Sequence, residues 1–169
     1  MAGYTCKVCG EYHDELPMSH GAAAPAYWYG LPEAERSSRA QLTPDLCVID
    51  DQHYFVAGNL EIPIVDSESR FQWAVWVSLS AQNYQRTVEF FRQEGRENEP
   101  PYFGWLSTEI GIYPETLKLK TMVHTNVVGV RPSIELEPTG HPLAVEQRQG
   151  ITMARVQEIA ELIEHLAES

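Results

Sequence analysis

At 169 residues, with 43% hydrophobic and 21% charged side chains, the chain is sized for one well-cored domain, and its four tryptophans and eight tyrosines argue against disorder. Twelve basic against 24 acidic side chains give a net charge of -12, a field that repels phosphate backbones, so nucleic acid is not an expected partner. Three cysteines are too few and odd in number for a disulfide scaffold, and apolar runs such as 74–77 fall far short of a membrane span. With no basic leader or apolar run before Cys6, the expected setting is a reducing cytoplasm, away from membranes.

The first thirty residues are turn-rich, with Gly3, Gly10, Pro17, Gly21, Pro25 and Gly30, and read as a short knuckle followed by an irregular arm anchored by Tyr27, Trp28 and Tyr29. Pro32 suits a first helical position, and Glu33 and Glu35 sit well near the positive end of a helix dipole; Thr43-Pro44 stops that helix. Strands are expected over 46–50 and 53–58, joined by a turn at Asp51-Gln52, and over 60–65, where Pro63 argues for an edge or a bulge. The strongest strand is 71–80. Phe71, Trp73, Val75, Val77 and Leu79 share one face and Trp76 takes the other, which predicts a central strand covered on both sides.

Ser80 caps a helix running to about Gln93, with Tyr84, Val88 and Phe91 on one face. A charged, proline-ended loop and "YFGWL" follow, then strands over 116–125 and 132–138 and a short turn or helix up to Gly150. Thr152 caps a terminal helix striped by Val156, Ile159, Ile163 and Leu166 and widened by Leu162. The order predicts one α+β domain over 1–169: a mostly antiparallel sheet with packed helices (31–169), carrying a zinc-knuckle-like arm over 1–30.

The most specific chemistry lies in "YTCKVCGEYH". In Cys6-x-x-Cys9-Gly10 a tight turn aims two thiolates at one point, and glycine relieves the backbone. A closed tetrahedral zinc site needs four ligands, and Cys47 and His13 are the candidates for the other two, with His20 and His53 as substitutes for His13. Two alternatives stand beside the zinc reading: a redox pair, for which no thioredoxin-like helix follows, and two structural thiols.

In "PPYFGWL", Gly104 between Phe103 and Trp105 predicts a tight turn presenting two rings, a possible wall for a ligand pocket or a cap on the core. His141 in "TGHPL" joins them as a candidate base or ligand, and His124, alternating with Lys118 and Lys120, would face the same space. No nucleophile elbow, phosphate loop, dinucleotide fingerprint or zinc-protease motif occurs, and no catalytic constellation is visible.

The strings "CKVCG", "DLCVID", "WVSLS", "ENEPPYFGWL", "YPETLKLK" and "RPSIELEPTGHPLAVEQRQGIT" span nearly the whole chain. In that order they resemble a bacterial family known only as a domain of unknown function. The resemblance implies a single bacterial domain and carries over no catalytic residues.

The reading is therefore a binding or interaction domain stapled by one structural zinc ion, with a protein or small-molecule ligand. Two other classes remain beside it. One is a zinc-dependent hydrolase with an open metal position; the other is an acidic inhibitor or immunity-like partner of a basic protein.

Overall fold

The computed structural model describes residues 3–166. A small ribbon of β1 (Tyr4–Thr5) and β2 (Tyr12–His13) opens the chain, followed by β3 (Ser19–Gly21), α1 (Ala26–Tyr29) and α2 (Arg36–Arg39). Then come β4 (Ala40–Leu42), β5 (Leu46–Ile49), β6 (His53–Pro63), β7 (Arg70–Leu79) and α3 (Ala81–Glu89). β8 (Tyr102–Leu106), β9 (Lys120–His124), β10 (Ser133–Leu136), α4 (Pro142–Gln149) and α5 (Met153–Leu166) complete it.

The expected α+β arrangement, a mostly antiparallel sheet with packed helices, does not form. β6, β7, β8, β9 and β10 follow one another antiparallel, and β10 then returns to β6 in parallel at Ser133 and Asn59, closing a five-stranded barrel. Asn59 N–H donates to the Pro132 carbonyl across that seam at 2.9 Å. A sheet covered on one face and a small closed barrel share the same inward alternation, so periodicity alone does not separate them. What permits closure is Gly58: a Cβ there would come within 2.6 Å of Ile134 Cδ1 and 2.9 Å of the Pro132 carbonyl.

The long β6–β7 hairpin belongs both to the barrel and to its flanks. Before the seam β6 pairs with β5, which in turn carries β4; the early part of β7 pairs in parallel with β3. Val56, Leu60, Phe71, Trp73, Val75 and Val77 point into the barrel core. Trp76 points outward into a second cluster with Leu31, Cys47, Ile49, Phe55 and Ala57. With Trp73 at 2% and Trp76 at 1% exposure, β7 is buried on both faces, as its alternation predicts.

Local differences have local causes. The helix expected from Pro32 is a 3-10 turn and the single-turn α2, because Ala40 turns extended (φ -128°, ψ 142°) to pair with Ile49. The strands expected at 53–58 and 60–65 are one strand. Pro63 is its last residue, so its missing N–H interrupts no ladder. The β5–β6 turn lacks glycine but uses Asp50 and Asp51 at φ +54° and +52°, a left-handed region that aspartate tolerates. "YFGWL" is strand β8, and its Gly104 serves a close crossing: a Cβ would meet Val77 Cγ1 at 2.3 Å.

Ser80 caps α3 by accepting from Asn83 N–H at 3.1 Å, and the helix stops at Glu89. One end of the barrel is plugged by Leu143 and Ala144 of α4 and by Val156, Ile159 and Ala160 of α5, which share a core with Tyr4 and Cys6. Leu162 and Leu166, expected on the inner stripe of α5, are exposed, and Glu161 is buried in their place.

Candidate metal centre

The knuckle is built by its backbone. Cys6 N–H donates to the Glu11 carbonyl and Gly10 N–H to the Cys6 carbonyl, both at 2.9 Å, with Gly10 at φ +77°. The turn folds the chain back so that β2 pairs with β1, His13 opposite Tyr4, and the two rings stack 5.0 Å apart. One donor atom from each of Cys6, Cys9 and His13 then lies within 4.8 Å of the others, a group able to hold a metal ion. Cys6 is buried and Cys9 exposed.

The electrostatics suit thiolate. The Cys9 backbone N–H draws the Cys6 thiol down to about 7; burial opposes it, and the Val8 N–H and the His165 ring add to the lowering. Cys9 moves the other way: the Glu11 N–H favours its thiolate, but burial and the neighbouring Cys6 sulfur outweigh that and raise it. His13 Nε2 is buried and makes no hydrogen bond of good geometry, although Glu164 Oε2 stands 3.3 Å away. A buried ring nitrogen without a hydrogen bond, beside two thiols, is the chemistry of a borderline cation such as zinc.

Cys47 is not brought to this cluster. It sits fully buried on β5 in the outer core cluster with Trp76 and Phe55, where burial raises its thiol to about 11. The substitutes are elsewhere too. His20 on β3 lies against Phe71 and Trp73, its ring centroid 5.9 Å and 5.6 Å from theirs, and burial lowers its pKa. His53 opens β6, its ring tilted against Tyr27 at 4.6 Å with its Nε2 3.3 Å from the tyrosine hydroxyl.

What the sequence reading missed is α5. Lys7 N–H donates to Glu161, Gln157 Nε2 donates to the Thr5 carbonyl at 3.1 Å, and His165 Nε2 lies 3.4 Å from Cys6 Sγ. Cys6, Glu164 and His165 form a second metal-competent group. The available signal was a polar row at i, i+4 and i+8 (Gln157, Glu161, His165) beside the apolar stripe of α5.

Away from the knuckle, Phe103 and Trp105 meet edge to face at 5.1 Å on the outer side of β8. Trp105 lines an open cleft of about 550 Å³ with Tyr27, His53, Phe55 and Lys118, the last at a left-handed φ of +69°. His141 does not line it. Its Nδ1 accepts from Leu143 N–H at 3.1 Å and caps α4, while Nε2 reaches the Pro114 and Glu115 carbonyls at 3.2 and 3.1 Å. His124 pairs across strands with Glu135 at 3.0 Å.

A more enclosed cavity of about 440 Å³ occupies the barrel mouth opposite the plugged end, between Val56, Tyr102 and Val123 and the covering Phe90, Phe91 and Val130. Arg86, Arg92, Arg96 and Arg131 rim it. Glu99 takes Arg86 and Asp45 takes Arg131; Arg96 spends its donors on the carbonyls of Phe91, Asn126, Val127 and Val130. Among the described residues neither Arg92 nor Arg96 pairs with a carboxylate.

Fold and site together define a small closed β-barrel with a metal-competent Cys/His knuckle docked on its terminal helix. No helix among the described residues is long and apolar enough to cross a membrane. The chain belongs to DUF2199, described as an uncharacterised protein conserved in bacteria, whose model matches residues 5–151. No curated protein and no solved structure matches it.

Proposed function

We propose that the protein is a binding domain whose N-terminal knuckle carries one structural zinc ion. The observation behind this reading is the convergence of Cys6, Cys9 and His13, with donor atoms within 4.8 Å of one another. Zinc favours thiolate and imidazole together, and a C-x-x-C turn followed by glycine is a common way to aim two thiolates at one ion. The ion's work here is mechanical. It ties an arm with few apolar contacts of its own to the plugged end of the barrel, where Tyr4 and Cys6 join the core. The proposed ligand site is the barrel mouth, whose apolar lining and Arg92, which pairs with no carboxylate among the described residues, suit a small molecule with an apolar body and a carboxylate.

The test is elemental analysis of protein purified reduced and supplied with zinc. One zinc per chain is expected, falling in Cys9→Ser and His13→Ala, and chelation should lower the thermal midpoint while most β-structure persists. Substoichiometric zinc, with the same midpoint before and after chelation, would sink the reading. A metal that keeps an exchangeable water and hydrolyses an activated ester would instead favour the hydrolase alternative.

A further inference from the structure

We propose that His165 is the fourth ligand of the knuckle metal, so that one ion joins the start of the chain to the last turn of α5. This rests on the structural-zinc reading above. In a tetrahedral site with zinc–sulfur near 2.3 Å and zinc–nitrogen near 2.0 Å, a thiolate and an imidazole sharing the ion stand about 3.5 Å apart. Cys6 Sγ and His165 Nε2 stand 3.4 Å apart, the edge length of such a tetrahedron.

The helix is set for this by contacts that involve no metal. Glu161 accepts from Lys7 N–H and Gln157 donates to the Thr5 carbonyl, which fixes the rotation of α5 against the knuckle. Residue 165 is one turn beyond 161 on the same face, so the register that satisfies the buried Glu161 also turns His165 toward Cys6. The donors form two triads hinged on Cys6: Cys6 with Cys9 and His13, and Cys6 with Glu164 and His165. Side-chain rotation at the exposed Cys9 and the half-buried His165 merges them into a Cys2His2 set. Glu164 Oε2 faces His13 Nε2 at 3.3 Å, the same nitrogen the ion would take, so it competes for that atom and is left out of the ligand set, since two thiolates and two imidazoles already fill a closed zinc site. The family match ends at residue 151, so this ligand comes from beyond the matched segment.

The experiment uses the full chain loaded with zinc, and with cobalt(II) as a spectroscopic stand-in. Affinity is read by competition with a chromophoric chelator and coordination by visible absorption. His165→Ala should weaken zinc binding at least about tenfold, more than an outer-shell change does, and dim the tetrahedral cobalt bands. His165→Cys should keep the metal and add intensity to the thiolate-to-cobalt charge-transfer band, an outcome that a misfolded helix cannot give. Glu164→Gln should change affinity less than His165→Ala.

Three outcomes would overturn the assignment. The first is wild-type affinity and spectrum in His165→Ala while Cys9→Ser and His13→Ala lose metal; this leaves the zinc reading standing without His165. The second is a larger loss in Glu164→Gln than in His165→Ala, which would make the carboxylate the ligand. The third is a wild-type chain that takes up neither metal, which removes the zinc reading as well.

Discussion

Cys47 and Cys9 show how differently two thiols of one chain behave. Cys9 is exposed on the knuckle, whereas Cys47 is fully buried between Trp76 and Phe55. In the metal-free folded protein iodoacetamide should label Cys9 and leave Cys47 untouched until denaturant is added, as peptide mass mapping would show. Burial also gives Cys47 a pH signature. Its thiol titrates at about 11 in the fold against 9.0 ordinarily, so above pH 9 the folded chain keeps a proton that the unfolded chain releases. Its stabilising share is therefore complete below pH 9 and is lost as the pH rises to about 11, and Cys47→Ala should show a shallower alkaline loss than wild type in urea melts. Equal slopes would dissociate Cys47 from that loss. Spacing makes the Cys6–Cys9 pair legible because two residues of chain confine both thiols to one turn. Nothing in the sequence says what a cysteine thirty-eight residues further on will face, and its β-strand alternation points it into the outer core.

At the scale of elements, the β6–β7 hairpin carries most of the fold. Trp73 is buried in the barrel and packs edge to face on Phe71 at 5.3 Å, so Trp73→Ala should cost about 3–5 kcal/mol in equilibrium urea unfolding. Gly58→Val should cost at least about 1–3 kcal/mol, because the added methyls would overlap Ile134 at the seam. If Gly58→Val unfolds at the wild-type midpoint, the seam is not the tight approach described. β7 was readable because five large residues alternate with Trp76 in a run too apolar for a surface strand. β8 was not, because Gly104 reads as a turn signal and its reason, the crossing over Val77, lies in a partner strand about 27 residues earlier. The closing seam was invisible for a similar cause: it pairs β10 with β6 in parallel, a long-range contact with no local pattern.

Taken whole, the molecule has a plugged end that the metal would fasten and an open end that it would leave free. An eight-carbon fatty acid should raise the thermal midpoint by occupying the mouth, and Val123→Glu, which places a carboxylate in the cavity, should abolish that shift. A shift that survives Val123→Glu would move the ligand site elsewhere, with the Trp105 cleft as the next place to look. The acidic surface fits this division. Net charge is -12, yet four of the nine arginines surround one cavity, an uneven distribution that the composition conceals.

Barrel closure also governs how copies of this chain meet one another. An open β-sheet ends in rows of unpaired main-chain donors and acceptors, which recruit further strands and seed fibrils. Among the described residues the eight-stranded sheet ends instead on β3 and β4, each three residues long. The long, apolar strands β6 and β7 have their main-chain groups engaged on both sides over much of their length. These two strands, with the paired tryptophans and valines of β7 the most prone to amyloid-like stacking in an unfolded chain, are thus withdrawn from exchange with neighbours once the seam between Asn59 and Ser133 has formed.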